Sequence, residues 1–127
     1  MTVSPRVDNE PDERHATFTT PEGVEIFWRE CGNPDGVPTL WIHGGSVEDS
    51  SMMVRDLEPF HDVLRVLLPD ARGHGRSARF AIIEAYSWGA KCTDLIALLD
   101  HLGIQQAIWG GNSMGAALSL WAGVHHP

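Results

Sequence analysis

Three short apolar runs, each followed by a glycine-rich or polar segment, most constrain the fold of this chain. They are TLWIHGG, VLRVLLPD and AIWGG. Unbroken apolar runs of this length are typical of strands that are buried on both faces. Strands of this kind alternate here with helical segments, which favours right-handed crossovers. The pattern therefore predicts an α/β fold, with a mostly parallel sheet flanked by helices.

Two longer segments show the spacing of amphipathic helices. The leucines of DLIALLDHL recur at i, i+3, i+4 and i+7, which predicts a helix over residues 86–102 that stops at Gly103. Residues 117–124 repeat this spacing, so a second helix is expected after Ser113. A third, short amphipathic helix is predicted for MMVRDLEPF.

The first 15 residues differ in composition from the rest of the chain. They contain three large apolar residues beside two prolines and four acids. Residues 1–15 are therefore predicted to be a disordered acidic tail, and residues 16–127 a single domain. Within that domain ATFTT and VEIFWRE flank the turn sequence PEG, which predicts a hairpin, and NPDG predicts a second turn.

Charge and cysteine content exclude several classes of function. The net charge is −8, with 17 acidic against 9 basic residues, which argues against a nucleic-acid or anionic-membrane surface. Cys31 and Cys92 are isolated, and the histidines lack metal-ligand spacing, so no disulfide or metal site is expected. The chain shows neither a signal-peptide pattern nor an apolar stretch of about 18 residues. The expected location is the cytoplasm.

The segment GNSMG, residues 111–115, has the spacing G-x-S-x-G between the third apolar run and the second helix. A sharp turn there would hold Ser113 exposed at the edge of the sheet, and glycines at 111 and 115 would avoid clashes. Amides at the start of the helix would stabilise a developing negative charge. Ser113 is thus a candidate nucleophile. The alternative is a serine that only caps the helix.

A second glycine pattern allows another interpretation. Gly73, Gly75 and Ala78 fit G-x-G-x-x-A directly after a strand, which is the spacing of a dinucleotide-binding turn. Arg76 and Arg79 interrupt the expected start of a helix, and no acid follows at a strand end at the required offset. This interpretation is therefore disfavoured, and no organic cofactor is expected.

Four segments, taken in order, resemble the α/β-hydrolase family. They are HGG at 43–45, DARGHGRS at 70–77, the helix ending in DLIALLDHLGI, and GNSMG. The resemblance covers residues 16–127 and implies the amino-terminal half of such a domain, a truncated α/β-hydrolase fold that ends after the helix following the nucleophile elbow. Within the family, the segment GNSMG and the size of this half are similar to the carbon–carbon bond hydrolase, esterase and proline-iminopeptidase-like branches. This similarity does not distinguish among the three branches.

The resemblance also implies roles for individual residues. Ser113 would be the nucleophile, and the backbone amides of Gly45 and Met114 would form the oxyanion hole. The elbow and its support would comprise Gly111, Gly115, His43, Gly44, Asp70, Gly73, His74 and Gly75. The implied activity is hydrolysis of an ester, amide or similar bond in a small acyl substrate through an acyl-enzyme, with no metal or cofactor.

The source of the catalytic acid and base is the open question of the sequence. In this family the acid and the histidine follow the serine along the chain, but no Asp or Glu follows Ser113. His125 would lie about 18 Å along the same helix, whereas a base must be within about 3 Å. His126 is no closer. His43 and His74 remain as improvised bases within the chain. Otherwise a continuation of the chain or a partner would supply the acid and the base.

A non-catalytic hypothesis stands beside the hydrolase hypothesis. If residues 107–110 form an edge strand, its apolar, unpaired backbone would invite pairing with another chain or with a second copy. The chain would then be an inert fragment or half-domain that pairs through this strand.

Overall fold

The computed structural model of the chain describes residues 2–3 and 13–127. The strands are β1 (Thr2–Val3), β2 (Glu13–Thr19), β3 (Glu25–Gly32), β4 (Val37–Ile42), β5 (Leu64–Pro69) and β6 (Ile108–Gly111). The α-helices are α1 (Trp88–His101) and α2 (Met114–His125). Short 3-10 segments lie at Ser50–Met53, Glu58–Phe60 and Ile83–Tyr86.

The strands form one mixed sheet with the order β1-β2-β3-β5-β4-β6. Pairing is antiparallel from β1 through β3 to β5, and parallel between β5, β4 and β6. In the parallel part, Leu40 lies between Leu67 on one side and Trp109 on the other. The α/β fold is confirmed. Its parallel strands are those formed by the three apolar runs.

The runs in β4 and β5 form strands that are covered on both faces, whereas β6, from the run AIWGG, contains no buried residue, so the prediction of a buried strand there is wrong. Side chains alternate along a strand, so Leu67 of β5 joins one core cluster while Val66 and Leu68 join the cluster on the other face. The first cluster contains Leu95 and Leu98 of α1, which have no exposed surface. The predicted buried stripe of this helix is therefore confirmed.

The ends of α1 follow from its flanking residues. The Ser87 hydroxyl accepts a hydrogen bond from the backbone N–H of Ala90 at 3.1 Å, which caps the amino terminus. Gly103 has a φ of 71°, and the Ile104 N–H donates to the Leu99 carbonyl at 2.9 Å. This left-handed glycine terminates the helix as the sequence predicts. The helix is shorter than the predicted range 86–102, because Tyr86 belongs to a 3-10 segment, Ser87 is the amino-terminal cap and Leu102 is the carboxyl-terminal cap.

The predicted turns are also present. β2 and β3 form the expected antiparallel hairpin around residues 21–23, where Gly23 has a φ of 87°. At the second turn the Gly36 N–H donates to the Asn33 carbonyl at 2.9 Å. The Asp35 N–H donates to the Asn33 side chain at the same distance.

The amino-terminal boundary needs a correction. Glu13, Arg14 and His15 belong to β2, and Thr2–Val3 pairs beside them, so these residues are not a disordered tail. They are held by the ladder to β3 and by a cross-strand ion pair of 3.2 Å between Arg14 and Glu30. The remainder of the predicted tail, residues 1 and 4–12, lies outside the described residues.

MMVRDLEPF does not form one amphipathic helix. It is divided between the 3-10 segments Ser50–Met53 and Glu58–Phe60, with turns between them. Pro59 explains the division, because its ring and missing N–H are tolerated only in the first turn of a helix. Pro59 accordingly occupies the first turn of the second segment.

Candidate functional site

The carboxyl ends of β4, β5 and β6 lie at one edge of the sheet, where ligands of α/β proteins gather. HGGS follows β4, DARGHGRS follows β5, and GGNSMG contains the end of β6 and the start of α2. The three glycine-rich or polar segments of the sequence therefore meet at this edge, and Ser113 lies in the turn between β6 and α2.

Ser113 has a strained backbone and an exposed side chain. Its φ and ψ are 51° and −107°, a sparsely populated region for a residue with a Cβ. Ser113 occupies the position that precedes α2, yet its side chain makes no capping hydrogen bond. The capping interpretation therefore does not describe this serine. This strained turn, with its hydroxyl in solvent, is compatible with the nucleophile elbow expected from the sequence.

The two outer glycines of GNSMG lie directly against the end of β4. A Cβ at either Gly111 or Gly115 would overlap the carbonyl oxygen of Ile42. The same carbonyl accepts a hydrogen bond from the Asn112 N–H at 3.0 Å. The elbow thus packs on the backbone of β4 at a distance that only glycine permits.

The backbone segments of the expected oxyanion hole are neighbours. A Cβ at Gly45 would lie 3.6 Å from the Cβ and 3.7 Å from the Sδ of Met114. Met114 is the first residue of α2, so its N–H belongs to the first turn, whose amides lack acceptors within the helix. Ser46, which follows Gly45, is the second non-glycine residue with a positive φ in the described chain, at 62°.

His43 is fully buried and both of its ring nitrogens are occupied. The Ala71 N–H donates to Nε2 at 3.0 Å. Because an amide only donates, Nε2 is unprotonated, and Nδ1–H donates to the Gly44 carbonyl at 2.6 Å. His43 therefore joins the end of β4 to the loop after β5. It has no lone pair left to act as a base for Ser113.

His74 lies beside His43, with 4.8 Å between the ring centroids. Its Nδ1–H donates to the Glu48 carbonyl at 3.1 Å. Burial lowers the pKa of His74, which favours the neutral ring. No hydrogen bond joins His74 to Ser113 among the described residues. The structure places it at the same edge of the sheet without making it a partner of the serine.

The histidine of the second helix lies far from the elbow. His125 is the last residue of α2, and its ring stacks on Trp121 with 3.8 Å between centroids. Its Nδ1 is also 2.9 Å from the Trp121 carbonyl. His125 therefore cannot accept a proton from Ser113 at the opposite end of the helix.

Asp70 organises the loop that follows β5. Its carboxylate is buried and accepts hydrogen bonds from the backbone N–H groups of Ser50 at 2.8 Å and Arg76 at 2.9 Å. Gly75 has a φ of 52°, and a Cβ there would overlap this carboxylate. Gly73 has a φ of 85° and lies against the Tyr86 ring. Asp70 thus binds the backbone of its own loop and that of the 3-10 segment that begins at Ser50.

The sequence reasoning missed a buried ion pair between this loop and α1. Arg72 and Asp94 form two contacts, of 2.6 Å and 2.7 Å, with side chains 7% and 2% exposed. Arg72 also donates to the Ala85 carbonyl at 2.9 Å. A signal was present in the sequence. Asp94 precedes Leu98 by four residues and so shares the buried stripe of α1, where an acid requires a cation.

The described residues contain neither a metal-ligand cluster nor a membrane-spanning helix. Within residues 2–3 and 13–127, no three His, Cys, Asp or Glu side chains converge as metal ligands would. In the same part of the chain, no helix has the length and apolar character needed to cross a membrane.

Comparison with known proteins connects this geometry to a family. Residues 38–127 match the family model described as alpha/beta hydrolase fold. The chain is 38% identical over 104 residues to a proline iminopeptidase of Neisseria meningitidis, covering 81% of this chain and 33% of that protein. It is 35% identical over 100 residues to epoxide hydrolase A of Mycobacterium tuberculosis, covering 78% and 30%. The chain thus spans about a third of the length of the curated relatives it matches.

A solved structure supports the same relationship. An epoxide hydrolase from an endophytic Streptomyces superposes with a TM-score of 0.79 and 28% sequence identity. The superposition covers 88% of this chain and 33% of that one.

Proposed function

The chain belongs to the α/β-hydrolase fold family, and from this premise we propose that it carries the nucleophile and oxyanion hole of a serine hydrolase. The reaction would be hydrolysis of an ester, amide or similar bond in a small acyl substrate. One observation carries the proposal. Ser113 holds a strained backbone with φ 51° and ψ −107°, and its exposed hydroxyl makes no cap to the helix that follows.

The proposed chemistry begins with attack of the Ser113 hydroxyl oxygen on the substrate carbonyl carbon, while the hydroxyl proton passes to a base. The carbonyl oxygen becomes negative and would accept hydrogen bonds from the amides of Gly45 and Met114, whose segments are adjacent. Collapse of this intermediate expels the leaving group, which takes the proton from the base. Water then releases the acyl group by the same steps.

The base and its acid would come from outside the described residues. His43 is committed to the Ala71 and Gly44 backbones, and His74 makes no hydrogen bond to Ser113. Family members supply an acid and then a histidine after the serine. We therefore assign both groups to a continuation of the chain or to a partner.

The surrounding residues would hold the elbow and the hole in place. His43 connects β4 to the loop after β5, and Asp70 binds the backbone of that loop. Gly44 is buried beneath the hole, where a Cβ would overlap the Glu48 carboxylate. We propose positioning roles for these residues, and no contact with substrate. The proposal does not choose between ester and amide bonds, because the names of the relatives, a proline iminopeptidase and an epoxide hydrolase, do not agree on one kind of bond.

The test is the intact mass of the purified chain after exposure to a fluorophosphonate probe, with and without added imidazole as a replacement base. We expect one adduct on the parent, with a rate that rises with imidazole, and none on Ser113→Ala. Far-ultraviolet circular dichroism confirms that both proteins are folded. Equal labelling of Ser113→Ala, or no labelling of the folded parent at any imidazole concentration, would contradict the proposal.

A second candidate function is supported by the sheet edge. β6 is the last strand in the sheet order, and Ile108 within it is 52% exposed. An open groove of about 920 Å³ beside it is lined by apolar residues such as Leu99, Ile104 and Trp109. An uncovered apolar edge of this kind favours strand pairing. We propose that residues 107–110 pair with a second copy or with a completing chain.

Sedimentation velocity tests this pairing. The parent is expected to self-associate at micromolar concentration, and Ile108→Lys, which charges the edge, is expected to be monomeric. Ile83→Lys is the matched control, because Ile83 is 81% exposed on a 3-10 segment outside the sheet. A monomeric parent, or equal association of both variants, would argue against pairing between copies.

A further inference from the structure

Lys91 is the only lysine in the chain, and the structure places it beside the elbow. It lies in the first turn of α1, and its Nζ is 3.6 Å from the Sδ of Met114. The ammonium is also 5.0 Å from the centroid of the Trp88 ring. Met114 follows Ser113 directly and contacts Gly45. The single lysine of the molecule is therefore one side chain away from the proposed oxyanion hole.

Apart from its cation–π contact with Trp88, Lys91 has no charged partner among the described residues. A cation is unfavourable at the positive end of a helix, and the first turn of α1 contains no acid. The side chain is half-buried, and this burial lowers the pKa of Lys91. None of the ion pairs in the described part of the chain involves Lys91. Its polar contact is with a thioether, which is a weak acceptor.

The charge of Lys91 acts on the site as well. Burial lowers the pKa of His74, and the charge of Lys91 contributes to the same shift. A half-buried cation without a carboxylate partner, at the edge of a candidate site, is an arrangement that a bound anion would complete.

We propose that Lys91 is a specificity-determining residue, whose ammonium binds a carboxylate carried by the acyl group of the substrate. The inference rests on the proposed function, because it assumes that the acyl group is bound at Ser113. A Cβ at Gly45 would lie within 3.7 Å of the Met114 side chain, and the Lys91 ammonium lies 3.6 Å from the sulfur of the same side chain. In this proposal the ammonium binds a substituent of the acyl chain, while the carbonyl oxygen binds the Gly45 and Met114 amides.

The preferred ligand is a monoanion. The chain has a net charge of −8, which opposes the approach of multiply charged ligands. A single lysine offers one positive charge and no bidentate fork. A single carboxylate satisfies both conditions, so the inferred substrate class is an ester or amide of a dicarboxylic acid.

The test compares two isosteric esters. Monomethyl succinate carries the carboxylate, and methyl isocaproate replaces it with an isopropyl group. Binding is followed by the chemical shifts of the Gly45 and Met114 amides, which report on the oxyanion hole. Lys91, the sole lysine, is also observed directly after reductive methylation with isotope-labelled formaldehyde, and Lys91→Arg identifies its signal by removing it.

We expect monomethyl succinate to shift the lysine signal and both amides saturably, and methyl isocaproate to leave the lysine signal in place. In Lys91→Gln the ratio of the two affinities is expected to fall about tenfold, or ~1.4 kcal/mol, as for loss of a charge-assisted hydrogen bond. Arg55→Gln is the control, since it removes an equal charge from an exposed side chain and should retain the parent ratio.

Two results would overturn the inference. They are equal binding of the two esters by the parent, and an unchanged affinity ratio in Lys91→Gln. Fluorophosphonate labelling separates this inference from the proposed function. Labelling of Ser113 with an unchanged ratio rejects the carboxylate site alone. A lowered ratio in Lys91→Gln, in a chain whose Ser113 is never labelled, supports the carboxylate site and rejects the hydrolase.

Discussion

Replacing Ser113 by glycine is expected to stabilise the fold, whereas replacing it by alanine is not. A residue with a Cβ in a sparsely populated backbone region costs about 1–3 kcal/mol, and Ser113 is in such a region with φ 51° and ψ −107°. Its side chain is exposed and makes no cap to α2, so removing the hydroxyl forfeits no stabilising contact.

The expected magnitudes follow from the Cβ. Ser113→Ala keeps it, so the strain remains and the free energy of unfolding should change by less than about 0.5 kcal/mol. Ser113→Gly removes it and recovers the strain, and about 0.5–1 kcal/mol of that gain is offset by the greater freedom of glycine in the unfolded chain. The net stabilisation is expected to be about 1 kcal/mol.

Urea unfolding followed by the fluorescence of the five tryptophans measures this difference. With a slope of about 2 kcal/mol per molar urea, the midpoint for Ser113→Gly should rise by about 0.5 M. Ser119→Gly is the matched control, because Ser119 is inside α2, where glycine should destabilise by about 0.5–1 kcal/mol.

Stability relative to the parent distinguishes the two interpretations. If Ser113 were a helix cap, alanine would cost about 1 kcal/mol and glycine a few tenths, so both variants would be less stable than the parent. Ser113→Gly that is no more stable than the parent would therefore refute the proposed backbone strain.

Three further predictions concern the support of the site, all measured by urea unfolding. Gly115→Ala should destabilise by about 3 kcal/mol because its Cβ overlaps the last carbonyl of β4, whereas Gly123→Ala, in open space, should not destabilise. Asp94→Asn should cost about 3 kcal/mol because Arg72 is left as an uncompensated buried charge, and a small loss would argue against the pair. The pKa of His74 is lowered by folding, chiefly through burial, so its contribution is present above pH 6.5 and lost as the pH falls through the folded pKa. His74→Gln should make stability fall less steeply below pH 6.5, and an unchanged slope would contradict this.

The central strands and the existence of both helices could be predicted because their signals are local. The apolar stripe expected over residues 117–124 is wrong, because Leu120 and Val124 are exposed and α2 buries Leu118 and Ala122 instead. β4 and β5 are buried on both faces, and this produces the unbroken apolar runs seen in the sequence. The start of β2 could not be found in the same way. It depends on the ion pair of Arg14 with Glu30, 16 residues away in β3. Composition alone predicts that such a polar segment is unstructured.

The candidate site likewise combines features that a local sequence pattern predicts with features that depend on contacts between distant residues. The exposed Ser113 and its two close glycines follow from a motif of five residues between a strand and a helix. The hydrogen bond that occupies Nε2 of His43 comes from Ala71, which is 28 residues away, and no local sequence pattern indicates it. The position of Lys91 beside Met114 likewise requires α1 and α2 to pack together.

One contact explains both the strain at Ser113 and the proximity of Gly45 to Met114. The Ile42 carbonyl accepts the Asn112 N–H at 3.0 Å, which ties the turn to the end of β4. The chain must pass from β6 into α2 within two residues of that tie, and the positive φ of Ser113 achieves this. Glycine at 113 would make the same turn with less strain. A serine in this position therefore carries a cost in stability that a chemical role for its hydroxyl would explain.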